Sequence, residues 1–315
     1  MRIYFWFSAV YLGFALIVAL VFMNDVTIVW GMIGGSADLL LTLAKLFVMV
    51  IGIGTAVLLL VVDRKTLLAR LTPFIYALVG AVFMNAGFTM LKNSMTFLTD
   101  FFADPFLAKV DRALHFGVDP WVIAHRLADY LPMEAITYNY AAVWGLPALA
   151  LPAILAATDG DRVRVRRTLV LYVLAWVLIG NVLALAFLSA GPVYYDRLLG
   201  VSRFSGLTAA LQASGVADSI VGQVQDDLWE VYSGRSAGIG SGISAFPSVH
   251  VAISTVLALY LAERSKWLIP LGFGFLVSIF FYSVYCGFHY AVDGYFSVLV
   301  ISSLWWWLRH KMPPQ

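Results

Sequence analysis

Residues 268–287 read Leu-Ile-Pro-Leu-Gly-Phe-Gly-Phe-Leu-Val-Ser-Ile-Phe-Phe-Tyr-Ser-Val-Tyr-Cys-Gly, without one charged side chain. A helix needs about 20 such residues to cross the hydrocarbon of a bilayer, so this stretch reads as a membrane span. Seven more apolar stretches accompany it, at 4–23, 38–62, 71–90, 135–157, 168–190, 247–263 and 290–309. Composition agrees. Of 315 residues, 62% are hydrophobic and 12% charged, against about 45–50% and about 25% in a soluble chain. Mean hydropathy is +0.88. The sequence therefore predicts an all-α, polytopic integral membrane protein with about eight transmembrane helices. The first stretch follows Arg2 but is too long for a signal peptide. Met23-Asn24-Asp25-Val26 is no small-residue cleavage site either, so it reads as a retained span.

Charge sets the expected orientation. Twelve of the 20 basic residues fall at the ends and short loops that share a side with the amino terminus: Arg2; Arg64, Lys65 and Arg70; Arg162, Arg164, Arg166 and Arg167; Arg264 and Lys266; Arg309 and Lys311. Seven fall on the other side, and Lys45 lies inside the second span. The positive-inside rule then predicts that both termini are cytoplasmic. The long loops 91–134 and 191–246 face outward. Loop 91–134 interleaves aromatic residues with charges and contains Pro105 and Pro120, which predicts short amphipathic helices at the interface. Net charge +2 leaves no basic face for nucleic acid. The single cysteine, Cys286, rules out an internal disulfide framework and reads as a small buried apolar residue.

Two of the five histidines sit where an outer loop meets a span. One closes Phe246-Pro247-Ser248-Val249-His250, with Pro247 suited to a first helical turn. Free N–H groups at such a helix start suit a phosphate, and Ser248 adds a hydroxyl. The other opens His289-Tyr290-Ala291-Val292-Asp293. If helix has begun by His289, the i,i+4 spacing puts His289 and Asp293 on one face. A carboxylate on one ring nitrogen fixes the tautomer and leaves the other nitrogen nucleophilic. The charge argument places both histidines on one side without having used them.

Pro-Ser-x-His followed by His-x-x-x-Asp, each opening a late span, resembles the type-2 phosphatidic acid phosphatase superfamily. The resemblance covers roughly the last two thirds of the chain. It implies two additional amino-terminal spans at 1–65 and a six-span phosphatase-like core at 66–315. It also implies a phosphohistidine mechanism: His289 attacks phosphorus, Asp293 orients it, His250 protonates the leaving oxygen and activates the acceptor, and Ser248 helps hold the phosphate. The expected partner is a membrane lipid phosphate or phosphodiester in the bilayer. No metal or cofactor is expected, because an oriented imidazole is already a nucleophile at neutral pH.

The chain departs from that pattern. Ser283 stands six residues before His289, where the superfamily usually has arginine, and no Lys-x6-Arg-Pro precedes Pro-Ser-x-His. Phe246-Pro-Ser-x-His together with Tyr285, His289, Tyr290, Val292 and Asp293 is instead similar to the inositol phosphorylceramide synthase branch. Gly191-Pro-x-Tyr194-Tyr195 is similar to it as well. That branch transfers a phospho-headgroup between lipids, so a phosphotransferase is favoured over a phosphatase. The missing cations predict that at least one of Arg197, Arg203 and Arg235 reaches the phosphate, with Tyr195 beside it. Lys45 either binds the phosphate or snorkels outward towards Asp38. His115 and His125 read as interfacial or packing residues, His310 as solvated, and Trp305-Trp306-Trp307 as an interface anchor. Asn85, Asn139 and Asn181 read as interhelical hydrogen-bonding residues. Two readings from other classes remain open. One is a metal-dependent hydrolase using His250, His289 and Asp293 as ligands. The other is a transporter using Lys45 and Asp293 as a charge relay.

Overall fold

The computed structural model describes residues 1–22, 64–128, 132–234 and 242–313. The expected span at 38–62, Lys45 and Arg235 lie outside the described residues. Within them the chain is helical and carries no strand. Five helices are long and apolar enough to cross a membrane: Arg2–Phe22, Ala69–Leu98, Arg162–Ala186, Lys266–Tyr285 and Ala291–Lys311. An apolar helix at Gly145–Thr158 and the helix Val249–Arg264 run among them.

Helix α1 (Arg2–Phe22) shows why these segments associate. Its buried face is Tyr4, Ser8, Tyr11, Ala15 and Ala19 at helical spacing, while Ile3, Trp6, Val10, Phe14, Ile17 and Val21 are exposed. In lipid there is no hydrophobic force between helices, so small residues and close fit decide the contact. Helix α2 (Arg64–Leu98) receives that face, and a Cβ on Gly80 would come within 2.8 Å of the Tyr4 ring. Tyr11 donates a hydrogen bond to Asn181 Oδ1 across the bundle. Helix α2 continues eight residues past the expected end of its span, because 91–98 contains neither glycine nor proline to stop it.

Loop 91–134 does hold short helices, α3 (Asp104–Leu114) and α4 (Pro120–Ala128), and its prolines start them rather than break them. Helix α5 (Met133–Tyr138) runs through a wide π turn at Asn139–Val143 into α6 (Gly145–Thr158). Helix α7 (Arg162–Ala186) contains a second π segment, Ala175–Leu183. Then come α8 (Pro192–Leu199), α9 (Ser205–Ala213), α10 (Ile220–Ser233), α11 (Val249–Arg264), α12 (Ile269–Tyr285) and α13 (Ala291–Lys311).

One end of the bundle is tied by charge. Arg164 forks onto Asp159 at 2.6–2.7 Å, Arg264 reaches the same carboxylate at 3.2 Å, and Arg167 pairs with Glu263. Trp305 Nε1 also donates to Glu263, at 2.5 Å. Burial pushes the Asp159 carboxyl up, but the Arg164 fork, the Asp161 N–H and Arg264 more than offset this and hold it below its ordinary range. The motif histidines lie at the opposite end, where α11 and α13 begin and α12 finishes.

Candidate active site

Helix α11 starts two residues later than the sequence suggests. Ser248 is its N-cap, with Oγ accepting the Val251 N–H at 3.3 Å, and Pro247 precedes the cap. Ser248 is thus buried at the helix start, and it does not line the cavity described below. His250 lies one turn in. Its ring stacks against Tyr140 and packs at a tilt on Trp144, with centroids 4.7 and 4.0 Å away. Trp144 Nε1 also donates to the His250 carbonyl at 3.0 Å. Both aromatic partners belong to or adjoin the first π turn, where an added backbone residue re-aims side chains.

His289 sits 5.8 Å from His250, centroid to centroid. It lies before α13, not within it, so the expected helical i,i+4 geometry is not what brings it to Asp293. Instead, Tyr290 is the N-cap and Asp293 the third helical residue, whose Oδ2 turns back to accept the Tyr290 N–H at 3.0 Å. The same oxygen meets His289 Nδ1 at 3.2 Å. A capping carboxylate thereby fixes the imidazole and leaves Nε2 as its second nitrogen. Burial, with the Lys92 ammonium close by, lowers the His289 pKa, so the ring stands neutral.

Two carboxylates that the sequence reading passed over hold this loop. Asp104 accepts the N–H groups of Ala190 and Gly191 at 2.8 and 2.9 Å and the Tyr290 hydroxyl at 2.9 Å. Asp111, seven residues on along the same face of α3, accepts the N–H groups of Ala291 and Val292 at 3.2 and 2.9 Å. A carboxylate is stabilising at a helix start because the orphan N–H groups and the dipole point there. Burial pushes both carboxyls up, and these donors work against that. Gly191 has φ +93°, and a Cβ there would lie 2.3 Å from the Phe288 carbonyl oxygen. The Gly-Pro-x-Tyr-Tyr segment therefore lies directly against the loop that carries His289.

His250 and His289 open on a cavity of about 310 Å³. Phe88, Tyr140, Trp144, Trp176 and Phe288 give it apolar walls, and Asn85, Thr89, Lys92 and Ser244 give it polar points. Trp176 and Gly180 enter from the second π segment. Tyr194 lines it rather than its neighbour Tyr195, whose ring packs on Phe204 at 5.1 Å. The two described loop arginines are engaged elsewhere. Exposed Arg197 meets Asp226 at 3.3 Å, and Arg203 holds Asp119 through two bonds of 2.5 and 2.8 Å. Among the described residues, Lys92 is the only basic side chain lining the cavity besides the histidines. Ser283, at the superfamily's arginine position, is buried, and its carbonyl accepts the His289 N–H at 3.2 Å. His115 and His125 bond Tyr295 and the Tyr285 carbonyl, both at 3.0 Å. The described residues contain no group of three or more His, Cys, Asp or Glu placed to hold a metal.

Neither a curated protein nor a solved structure matches the chain. A family model, that of the PAP2 superfamily, matches residues 105–307, nearly two thirds of the length, and takes in both histidine motifs and every helix from α4 to α12. With the histidine pair, the capping aspartate and the helical membrane fold in place around one cavity, the chain belongs to the PAP2 superfamily.

Proposed function

We propose that the protein is a membrane phosphotransferase that moves a phosphorylated headgroup between lipids through a phosphohistidine. Superfamily membership supports a phosphatase or phosphotransferase acting on lipid phosphates. The observation that carries the reading is the pairing of His250 and His289, 5.8 Å apart, over one cavity, with Asp293 on His289 Nδ1.

His289 Nε2 attacks phosphorus, and the P–O ester bond breaks with its electron pair leaving on oxygen. A proton from His250 neutralises that oxygen and releases the first alcohol. An acceptor hydroxyl then attacks phosphorus and gives its proton to His250. The P–N bond breaks, and its electron pair returns to His289. Asp293 holds the imidazole through both steps and stabilises its positive charge while phosphorus is attached. A cavity of about 310 Å³ is near the small end of ligand sites. It suits a headgroup whose acyl tails lie between helices in the bilayer. By the charge argument the site faces the extracytoplasmic side, with both termini cytoplasmic.

Transfer is favoured over hydrolysis by the departures at Ser283 and in the loop before Pro-Ser-x-His, together with the similarity of Phe246-Pro-Ser-x-His, Tyr285, His289, Tyr290, Val292 and Asp293 to the inositol phosphorylceramide synthase branch. The test incubates the purified protein with candidate phospholipids, with and without inositol- or ceramide-type acceptors, and scores free phosphate against new lipid. New lipid dependent on His289 and His250 supports transfer. Free phosphate alone makes the protein a phosphatase. Undiminished turnover in His289→Ala removes the mechanism.

A further inference from the structure

We propose that Lys92, on α2, is the cation that binds the substrate phosphate in this chain, taking the place of the superfamily's missing loop arginines. The inference rests on the phosphotransfer reading above and names the residue that makes it electrostatically workable. A phosphate carried into an apolar cavity needs a compensating positive charge. Arg197 and Arg203 are spent on Asp226 and Asp119, away from the cavity wall. Lys92 lines the same cavity as His250 and His289 and lies within electrostatic reach of both.

Its surroundings are those of a charge held ready for a ligand. No ion pair among the described residues involves Lys92. Its ammonium stands 5.6 Å from the centre of the Phe88 ring, and Gly242 backs onto its stem. The side chain is half-buried, and its remaining exposure opens on the cavity. An ammonium set against apolar cavity walls without a carboxylate is costly unless a ligand recovers the energy. Lys92 also lies outside the residues that the superfamily matches, 105–307. A helix outside that region thus completes the phosphate site.

The test uses the full chain in detergent–lipid micelles, with turnover of a lipid phosphate and inhibition by vanadate as a phosphate mimic. Lys92→Met is expected to weaken vanadate inhibition and raise KM by about tenfold or more, the range for losing a charge-assisted hydrogen bond. Lys92→Arg keeps the charge and is expected to stay within a few-fold of the parent. If Lys92→Met yields no folded protein, Lys92→Gln is read the same way. Vanadate sensitivity unchanged in the neutral variants, or lost only in Arg203→Gln, overturns the assignment while leaving the histidine mechanism standing. A parent protein that vanadate does not inhibit and that tolerates His289→Ala overturns both.

Discussion

Asp104 offers the sharpest test of how the loop that carries His289 is held. Its carboxylate, 2% exposed, serves three donors from two segments: Ala190 N–H on one oxygen, and Gly191 N–H and the Tyr290 hydroxyl on the other. Asp104→Ala strands all three in a buried site. At about 1–3 kcal/mol for each unsatisfied group, and with some relief from water entering the vacated space, the expected loss is about 3–5 kcal/mol. Asp104→Asn is gentler. Its amide oxygen can keep the Gly191 and Tyr290 bonds, and its NH2 then faces the Ala190 N–H, so one bond is lost at about 1–2 kcal/mol. Unfolding of the purified protein in mixed micelles with increasing SDS reads both values. Turnover is expected to fall in parallel, since Tyr290 follows His289 directly and a shift near 1 Å can cost about 100-fold. An Ala variant within about 0.5 kcal/mol of the parent, or no less stable than the Asn variant, refutes the clamp.

Three further outcomes follow from the same geometry. Asp293→Asn should keep the fold yet lose about 10²- to 10⁴-fold in kcat, measured as steady-state consumption of the lipid substrate, because a neutral amide orients the imidazole and supports its charge poorly. Gly191→Ala should lower both stability and turnover, as its Cβ would collide with the Phe288 carbonyl at a φ that alanine resists; thermal unfolding and activity of the same sample read the two effects. Asp159 has a depressed folded-state pKa, so its contribution is present above its unfolded-state pKa and is lost as pH falls through the folded value. Asp159→Asn should therefore cost about 1–3 kcal/mol at neutral pH and flatten the acid limb of the stability profile.

The chain's letters disclosed the histidine pair because two motif histidines at loop–span junctions have few places to go. They disclosed the Asp293 contact for the wrong reason: spacing suggested a shared helical face, whereas the structure uses a cap. Two of the three candidate arginines, Arg197 and Arg203, lie away from the cavity for a plain physical cause. Arginines in the loop that runs up to Pro-Ser-x-His look available, but Asp119 and Asp226 stand nearer to them in space than in sequence. Lys92 read as an outer-loop charge because the apolar run weakens at 91, although nothing there halts the helix. Asp104 and Asp111 were invisible for a related reason. An amphipathic pattern assigns carboxylates to water, and here they occupy the buried face because unpaired backbone donors are waiting for them. The two π segments left no signature in periodicity at all.

The bond from Tyr11 to Asn181 bears on how this protein can be taken apart. An amino-terminal helix that precedes the shared superfamily region invites treatment as a detachable anchor, convenient to trim or to replace with a fusion partner. Here its tyrosine grips the segment that presents Trp176 and Gly180 to the cavity between the two histidines, the chamber of the proposed reaction. Removing the first 22 residues should thus loosen a wall of that chamber, and a shortened protein that inserts normally yet works poorly would be the sign of it.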